Sequence, residues 1–295
     1  MGIRKFADSG TRIPAAMPHS SDTSYRLVVF DAVEDLDPVR DLICRATGLH
    51  ATDANRWLAR MPGIMDRPIS QAEAKILLDG LYDLGIAAEA RAVDALPDLS
   101  PVRTAHTVAC LPEGFRVNGL RGEPIHWVPW DKVEIIDAGL IEQTDEERAV
   151  VPPTWVVGIR NGLNAVLRSP QIIARRERTL KFNREPVGEV ILIRSDPNLA
   201  FRLPANALNY RYLGARLQPS SGENFPLLLA DLGKFGHEPA VTRSTRQWIE
   251  GGPESAPVYH SSQALLDHAT LALLWNWYRR DRDQAAPGDG GTTEF

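Results

Sequence analysis

The chain has 295 residues, 43% apolar and 24% charged, which allows two folded domains of ordinary soluble composition and excludes a low-complexity or collagen-like chain. Its formal net charge of −5 gives no global basic field of the kind that draws a protein to nucleic acid. Cys44 and Cys110 stand far apart without disulfide or metal spacing, which points to a reducing cytoplasm.

Residues 1–23 lack an apolar core segment for a signal peptide and read as a mobile tail. Tyr25 to Ala32, "YRLVVFDA", is β-rich and predicts a strand. Asp37 then offers a helix cap, Pro38 suits a first helical position, and Val39, Leu42, Ile43 and Ala46 share one helical face. Gly48 closes that helix in the left-handed conformation. A second helix follows with Thr52 as its cap and Ala54, Trp57, Leu58 and Met61 on one face. "PGIMDRPI" leaves room for a short strand. Ser70 and Glu73 form a capping-box pattern opening a third helix through Ala74, Leu77, Leu78 and Leu81, which Gly85 stops. "IAAEARAV" alternates and reads as a strand. The acids Asp31, Glu34, Asp35, Asp37 and Asp41 have no calcium-loop spacing and are expected to serve a solvated loop and a helix start.

This β-α-α-β-α-β order, with "VRDLICRATGL", "DANRWL", "MPG" and "AEAKILLDGLYDLGIAAEA", resembles the C-terminal domain of the bacterial ribosomal stalk protein, a fold shared with ClpS-type protease adaptors. Thr47, Gly48, Leu49, Leu84 and Gly85 match its turn and helix end. The resemblance covers residues 24–95 and implies a protein-docking role. In that family the docking face uses lysines on the helix after the TGL turn. Here Arg56 occupies one such place, Asp53 and Asn55 replace others, and Arg60 lies one turn on, so Arg56 and Arg60 are the candidate docking residues.

Residues 96–104 read as a linker. From 105 to 236 come the strand candidates "HTVACL", "FRVNGL", "IHWVPWDKVEIIDAGLI", "TWVVGIR", "EVILIR" and "AFRLP", parted by the turns "PEG", "RGEP" and "DPN". With no helix between them they predict a β-barrel or sandwich, with a mainly antiparallel β-barrel as the expected form, and "NYRYLG" is expected to finish the run with Tyr210 and Tyr212 on one strand face. A helix through Phe225, Leu228, Leu229, Leu232 and Phe235 follows, capped by Ser220 or, to free Pro226 of its missing donor, by Asn224. Strands closed by one amphipathic helix resemble a pleckstrin-homology-like domain; its basic lipid-binding loop is replaced here by "PEG". Residues 237–283 form a largely irregular connector and a helical extension starting near Ser261 or Ser262, and 284–295 a loose tail.

The stretch from Arg160 to Arg184 concentrates Arg160, Arg168, Arg175, Arg176, Arg178, Lys181 and Arg184 against the single acid Glu177. Arg175, Arg176, Arg178 and Lys181 are the candidate anion contacts, weighed against pairing with the chain's own acids. His106 and Cys110 share a strand face but two ligands do not make a zinc site. No phosphate-binding glycine loop, nucleophile elbow or metal motif occurs, so no catalytic, cofactor or metal residue is assigned. The fold class is therefore α+β, and the expected function is a non-enzymatic cytoplasmic adaptor or scaffold with a protein partner, no nucleic acid and no membrane span. An enzyme with a site between the domains and a peripheral binder of anionic surfaces through residues 160–184 stay as alternatives.

Overall fold

The computed structural model describes residues 23–100, 102–119, 126–150, 177–195, 197–236 and 240–285, with side chains outside 144–184. The protein is α+β, with a first compact unit ending at Leu96 and a second beginning at Pro97.

The first unit runs β1 (Tyr25–Val29), α1 (Leu36–Thr47), α2 (Ala51–Leu58), β2 (Gly63–Ile64), α3 (Gln71–Asp83), β3 (Ala88–Ala92). Its sheet has the order β2-β1-β3, antiparallel throughout. Leu27 and Val29 turn toward the helices and pack with Val39, Leu42, Ile43, Ala54, Trp57, Leu77 and Leu81. The starts of two helices differ from the sequence reading. Asp35, not Asp37, caps α1, its Oδ1 accepting the Asp37 N–H at 3.2 Å, so Pro38 is the third helical residue, where its missing N–H is still one that no helical carbonyl would have used. His50, not Thr52, caps α2, Nδ1 accepting the Thr52 N–H at 3.3 Å. Ser70 and Glu73 form the full capping box of α3.

The second unit holds β4 (Arg103–Thr104), β5 (Thr107–Leu111), β6 (Gly114–Asn118), β7 (His126–Pro129), β8 (Val133–Val150), β9 (Glu177–Arg194), β10 (Leu199–Pro204), α4 (Ser221–Phe235), α5 (Arg243–Gly251), β11 (Val258–Tyr259) and α6 (Ser262–Ala285). The expected closed barrel is not what these strands make. They form a five-stranded sheet, β11-β8-β9-β10-β4, and a separate three-stranded meander, β5-β6-β7, and neither closes among the described residues. The reason lies in how its faces are covered. Val190, Leu192, Phe201 and Leu203 on one face of the five-stranded sheet share a core with Phe115 and Val117 of the meander and with Phe225, Leu228 and Leu232 of α4. Ile135, Ile191, Ile193 and Ala200 on the other face pack under Leu265, Ala269 and Leu273 of α6. A sheet buried on both sides gains more apolar burial open between two layers than rolled around one interior.

Two further differences, and the choice between the two caps offered for α4, concern local structure. "NYRYLG" is not a strand; Arg211–Arg216 is a 3₁₀ turn broken at Gly214, whose φ of 57° is open to glycine. Ser220 caps α4 with a full capping box, and Pro226 stays inside the helix because Gly222, the carbonyl that loses a donor, is exposed to water. The connector expected to be irregular carries α5, capped by Thr242. "TWVVGIR" lies outside the described residues.

Candidate functional site

The candidate docking cations lie on or just past α2. Arg56 pairs with Asp53 at 3.3 Å and Arg60 with Asp66 at 2.8 Å, and all four side chains are exposed. Of the candidate anion contacts, Arg175 and Arg176 lie outside the described residues. Arg178 and Lys181 are on β9, in register with Ala149 and Glu146 of β8. Arg56 and Arg60 belong to the first unit, and Arg178 and Lys181 to the second. The acids before α1 are engaged locally. Asp31 Oδ2 accepts the Ala87 N–H at 2.7 Å, Asp35 caps, and Asp37 and Asp41 hold Arg40.

The first unit has a groove that the sequence reading did not single out. It opens beside α3, encloses about 760 Å³, and is lined by Tyr25 of β1, Ala74, Lys75, Leu78 and Asp79 of α3, and Ala90 of β3. Lys75, Leu78 and Tyr82 fall at i, i+3, i+7, so Tyr82, 83% exposed, continues the groove-side stripe. Ile76 and Leu84 add exposed apolar surface on the same helix and its cap. α3 thus carries Ile76 and Tyr82 beyond the stripe its own core uses, with Leu84 as its cap.

The second unit carries a buried polar cluster. Asp137 is fully buried on β8. Its Oδ2 accepts from His268 Nδ1 on α6 at 2.6 Å, and its Oδ1 accepts from Thr242 Oγ1 at 2.7 Å and from Thr245 Oγ1 at 3.4 Å. Thr245 Oγ1 also accepts the Ala138 N–H at 2.7 Å. The Tyr259 ring lies 5.6 Å from the His268 ring, in space left by Gly139, where a Cβ would come within 2.4 Å of it. The Asp137 hydrogen bond and charge hold the His268 imidazolium above the usual histidine range, against the opposing effect of burial. Burial raises the Tyr259 hydroxyl, and Asp137 adds to it. Opposite Gly139, two residues along the ladder from Asp137, buried Glu189 accepts from Arg202 Nε at 2.7 Å and Ser262 Oγ at 3.1 Å. The arrangement fastens α6 to the sheet and presents an imidazole oriented by a carboxylate.

Around "NYRYLGARLQPSSGENF" the hydrogen-bonded side chains serve the joint. Tyr210 OH donates to Ala205 O, Tyr212 OH to Asp231 Oδ2 at 3.0 Å, and Arg216 grips Asp231 with bonds of 2.9 and 2.7 Å. Asn224, buried, donates to the Gln218 and Ser220 carbonyls and accepts the Gln218 N–H. Cys110 lies under this joint, and burial pushes its thiol up to about 12. His106 hydrogen-bonds the Ala207 carbonyl. Among the described residues no group of three or more His, Cys, Asp or Glu side chains is placed to hold a metal ion, and no helix is long and apolar enough to cross a membrane. No family model, no curated protein and no solved structure matches the chain.

Proposed function

We propose that the chain is a non-enzymatic protein-interaction protein, an adaptor or scaffold, whose first unit docks a protein. The groove beside α3 carries this reading. An open concavity of about 760 Å³ with Tyr25, Leu78 and Ala90 in its wall, and an exposed Tyr82 one turn beyond Leu78 on α3, suits an apolar contact with a polar rim of Lys75 and Asp79. The resemblance of residues 24–95 to a protein-docking domain points the same way. Arg56 and Arg60 are charged accessories, since exposed ion pairs of their kind cost little to exchange for a partner's carboxylate. Two unpaired cysteines suit a cytoplasmic setting.

The test is affinity capture from the native host with the full chain and with a Leu78→Glu/Tyr82→Glu variant whose folding is checked by circular dichroism. The wild type is expected to recover a defined protein that the variant loses. Equal recovery by both would remove the groove from the reading.

A second reading, acid–base catalysis, rests on Asp137 and His268 alone. A carboxylate on Nδ1 fixes the imidazole tautomer and leaves Nε2 for a proton. Turnover in a hydrolase substrate screen that His268→Ala abolishes would favour it; an equal background in both proteins would retire it.

A further inference from the structure

Among the described residues β3 is an edge strand, paired to β1 on one side. Its ladder is bracketed by the Phe30 N–H donating to Ala87 O and the Val93 N–H donating to Ser24 O. In an antiparallel ladder every second residue bonds to the same neighbour, so Ala87, Glu89, Arg91 and Val93 face β1. The N–H and C=O groups of Ala88, Ala90 and Ala92 therefore point to the open edge. Edges of this kind are templates for another strand.

The sequence of this edge, "AEARA", is complementary to itself when reversed. Setting two copies antiparallel about Ala90 puts Ala90 against Ala90, Ala88 against Ala92, and Glu89 against Arg91. The outward backbone groups then fall on the hydrogen-bonded pairs. Glu89 and Arg91 fall on the intervening non-hydrogen-bonded pairs, where cross-strand side chains come closest. Within one chain these two already pair, Arg91 Nε to Glu89 Oε1 at 2.9 Å, with both side chains largely buried on one face of the strand. Alanine on the other face leaves no bulky side chain to oppose the approach.

The α3 groove repeats the pattern. The two-fold axis that relates such strands stands perpendicular to the sheet, so both α3 helices lie on the same face and run antiparallel. Lys75 and Asp79 line the groove one turn apart with Leu78 between them, so an antiparallel second α3 can set each copy's Lys75 against the other's Asp79. Strand edge and helix rim are thus both charge-complementary to themselves.

We propose that the open edge of β3 and the α3 groove form a homodimer interface, in which the occupant of the groove is a second copy of this chain and the two sheets continue as β2-β1-β3-β3-β1-β2. The proposal rests on the reading of the first unit as a docking module and names its partner.

Sedimentation velocity on the full chain tests it, with Glu89→Arg, Arg91→Glu, the double exchange Glu89→Arg/Arg91→Glu, and Ala90→Pro. The wild type is expected to be dimeric at about 100 µM, and each single charge reversal to weaken dimerisation by at least about tenfold. The double exchange restores complementarity and with it the dimer. Ala90→Pro removes an outward N–H, a place where an edge strand tolerates proline, and is expected to give a folded monomer. A monomeric wild type, a dimer indifferent to both single reversals, or a double exchange that fails to rescue would each overturn the proposal. Should Ala90→Pro not fold, the charge series decides alone. A monomeric wild type that still captures a different protein through Leu78 and Tyr82 sinks the dimer and keeps the docking reading; one that captures nothing sinks both.

Discussion

Replacing Asp137 by alanine removes the acceptor on which three side chains of α5 and α6 converge. The carboxylate is fully buried, but the groups it serves differ in what they lose. Thr245 Oγ1 retains the Ala138 N–H and stands 2.8 Å from Thr242 Oγ1, so the two hydroxyls can satisfy one another in part and leave one donor orphaned, at about 1–3 kcal/mol. The His268 side chain is 42% exposed, so water replaces part of what Asp137 supplied, and its share is set at about 1 kcal/mol. The release of a buried charge offsets some of the remainder. The expected loss is about 3 kcal/mol, or a Tm lowered by roughly 6–12 °C for a unit of this size. Asp137→Asn keeps the shape and one acceptor oxygen for Thr242, so it should lose about half as much. Thermal melts followed by circular dichroism at pH 6 measure both. A Tm for Asp137→Ala within about 2 °C of wild type, or a larger loss for Asp137→Asn, would refute the reasoning.

The remaining predictions are shorter. His268 has its folded pKa raised by Asp137, so its stabilisation is present in full below the unfolded value of about 6.5 and fades as pH rises through the raised one; the Tm gap between wild type and His268→Gln should be wider at about pH 5.5 than at about pH 9, with Asp137 and Tyr259 the titratable groups facing the ring. Gly139→Ala drives a Cβ into the Tyr259 ring and should cost about 1–3 kcal/mol by urea denaturation. The wild type should not be retained on heparin at about 0.15 M salt, since its net charge of −5 gives no global attraction to a polyanion; firm retention lost on reversing Arg175, Arg176 and Arg178 to Glu would show otherwise.

Local signals were legible where one turn of chain decides the outcome. Ser70 with Glu73 and Gly48 needed no tertiary help to mark a helix start and a helix end. Asp35 displaced Asp37 because Pro38 is as well accommodated at the third helical position as at the first, and spacing alone does not separate the two. Pro226 argued against Ser220 as a cap, yet Phe225, Leu228 and Leu232 bury enough apolar surface to hold the helix over it. α5 had a legible start in Thr242 and stop in Gly252, obscured by the glycine and proline that follow. The apolar run Val190–Ile193, without alternation, already implied a strand buried on both faces, which disfavours the barrel. The Asp137–His268 pair spans 131 residues, and its one trace in sequence is an aspartate inside the apolar run of β8. The groove was illegible because it depends on how far α3 stands from the edge of β3.

The docking claim is tested most directly by a photo-crosslinking residue placed at Leu78, in the groove wall, and separately at Arg56 on α2, in the native host. The account predicts a discrete protein adduct from position 78 that is stronger than any from position 56 and is lost when Tyr82 is changed to Glu. An adduct from position 56 alone, or none from either position, would contradict it.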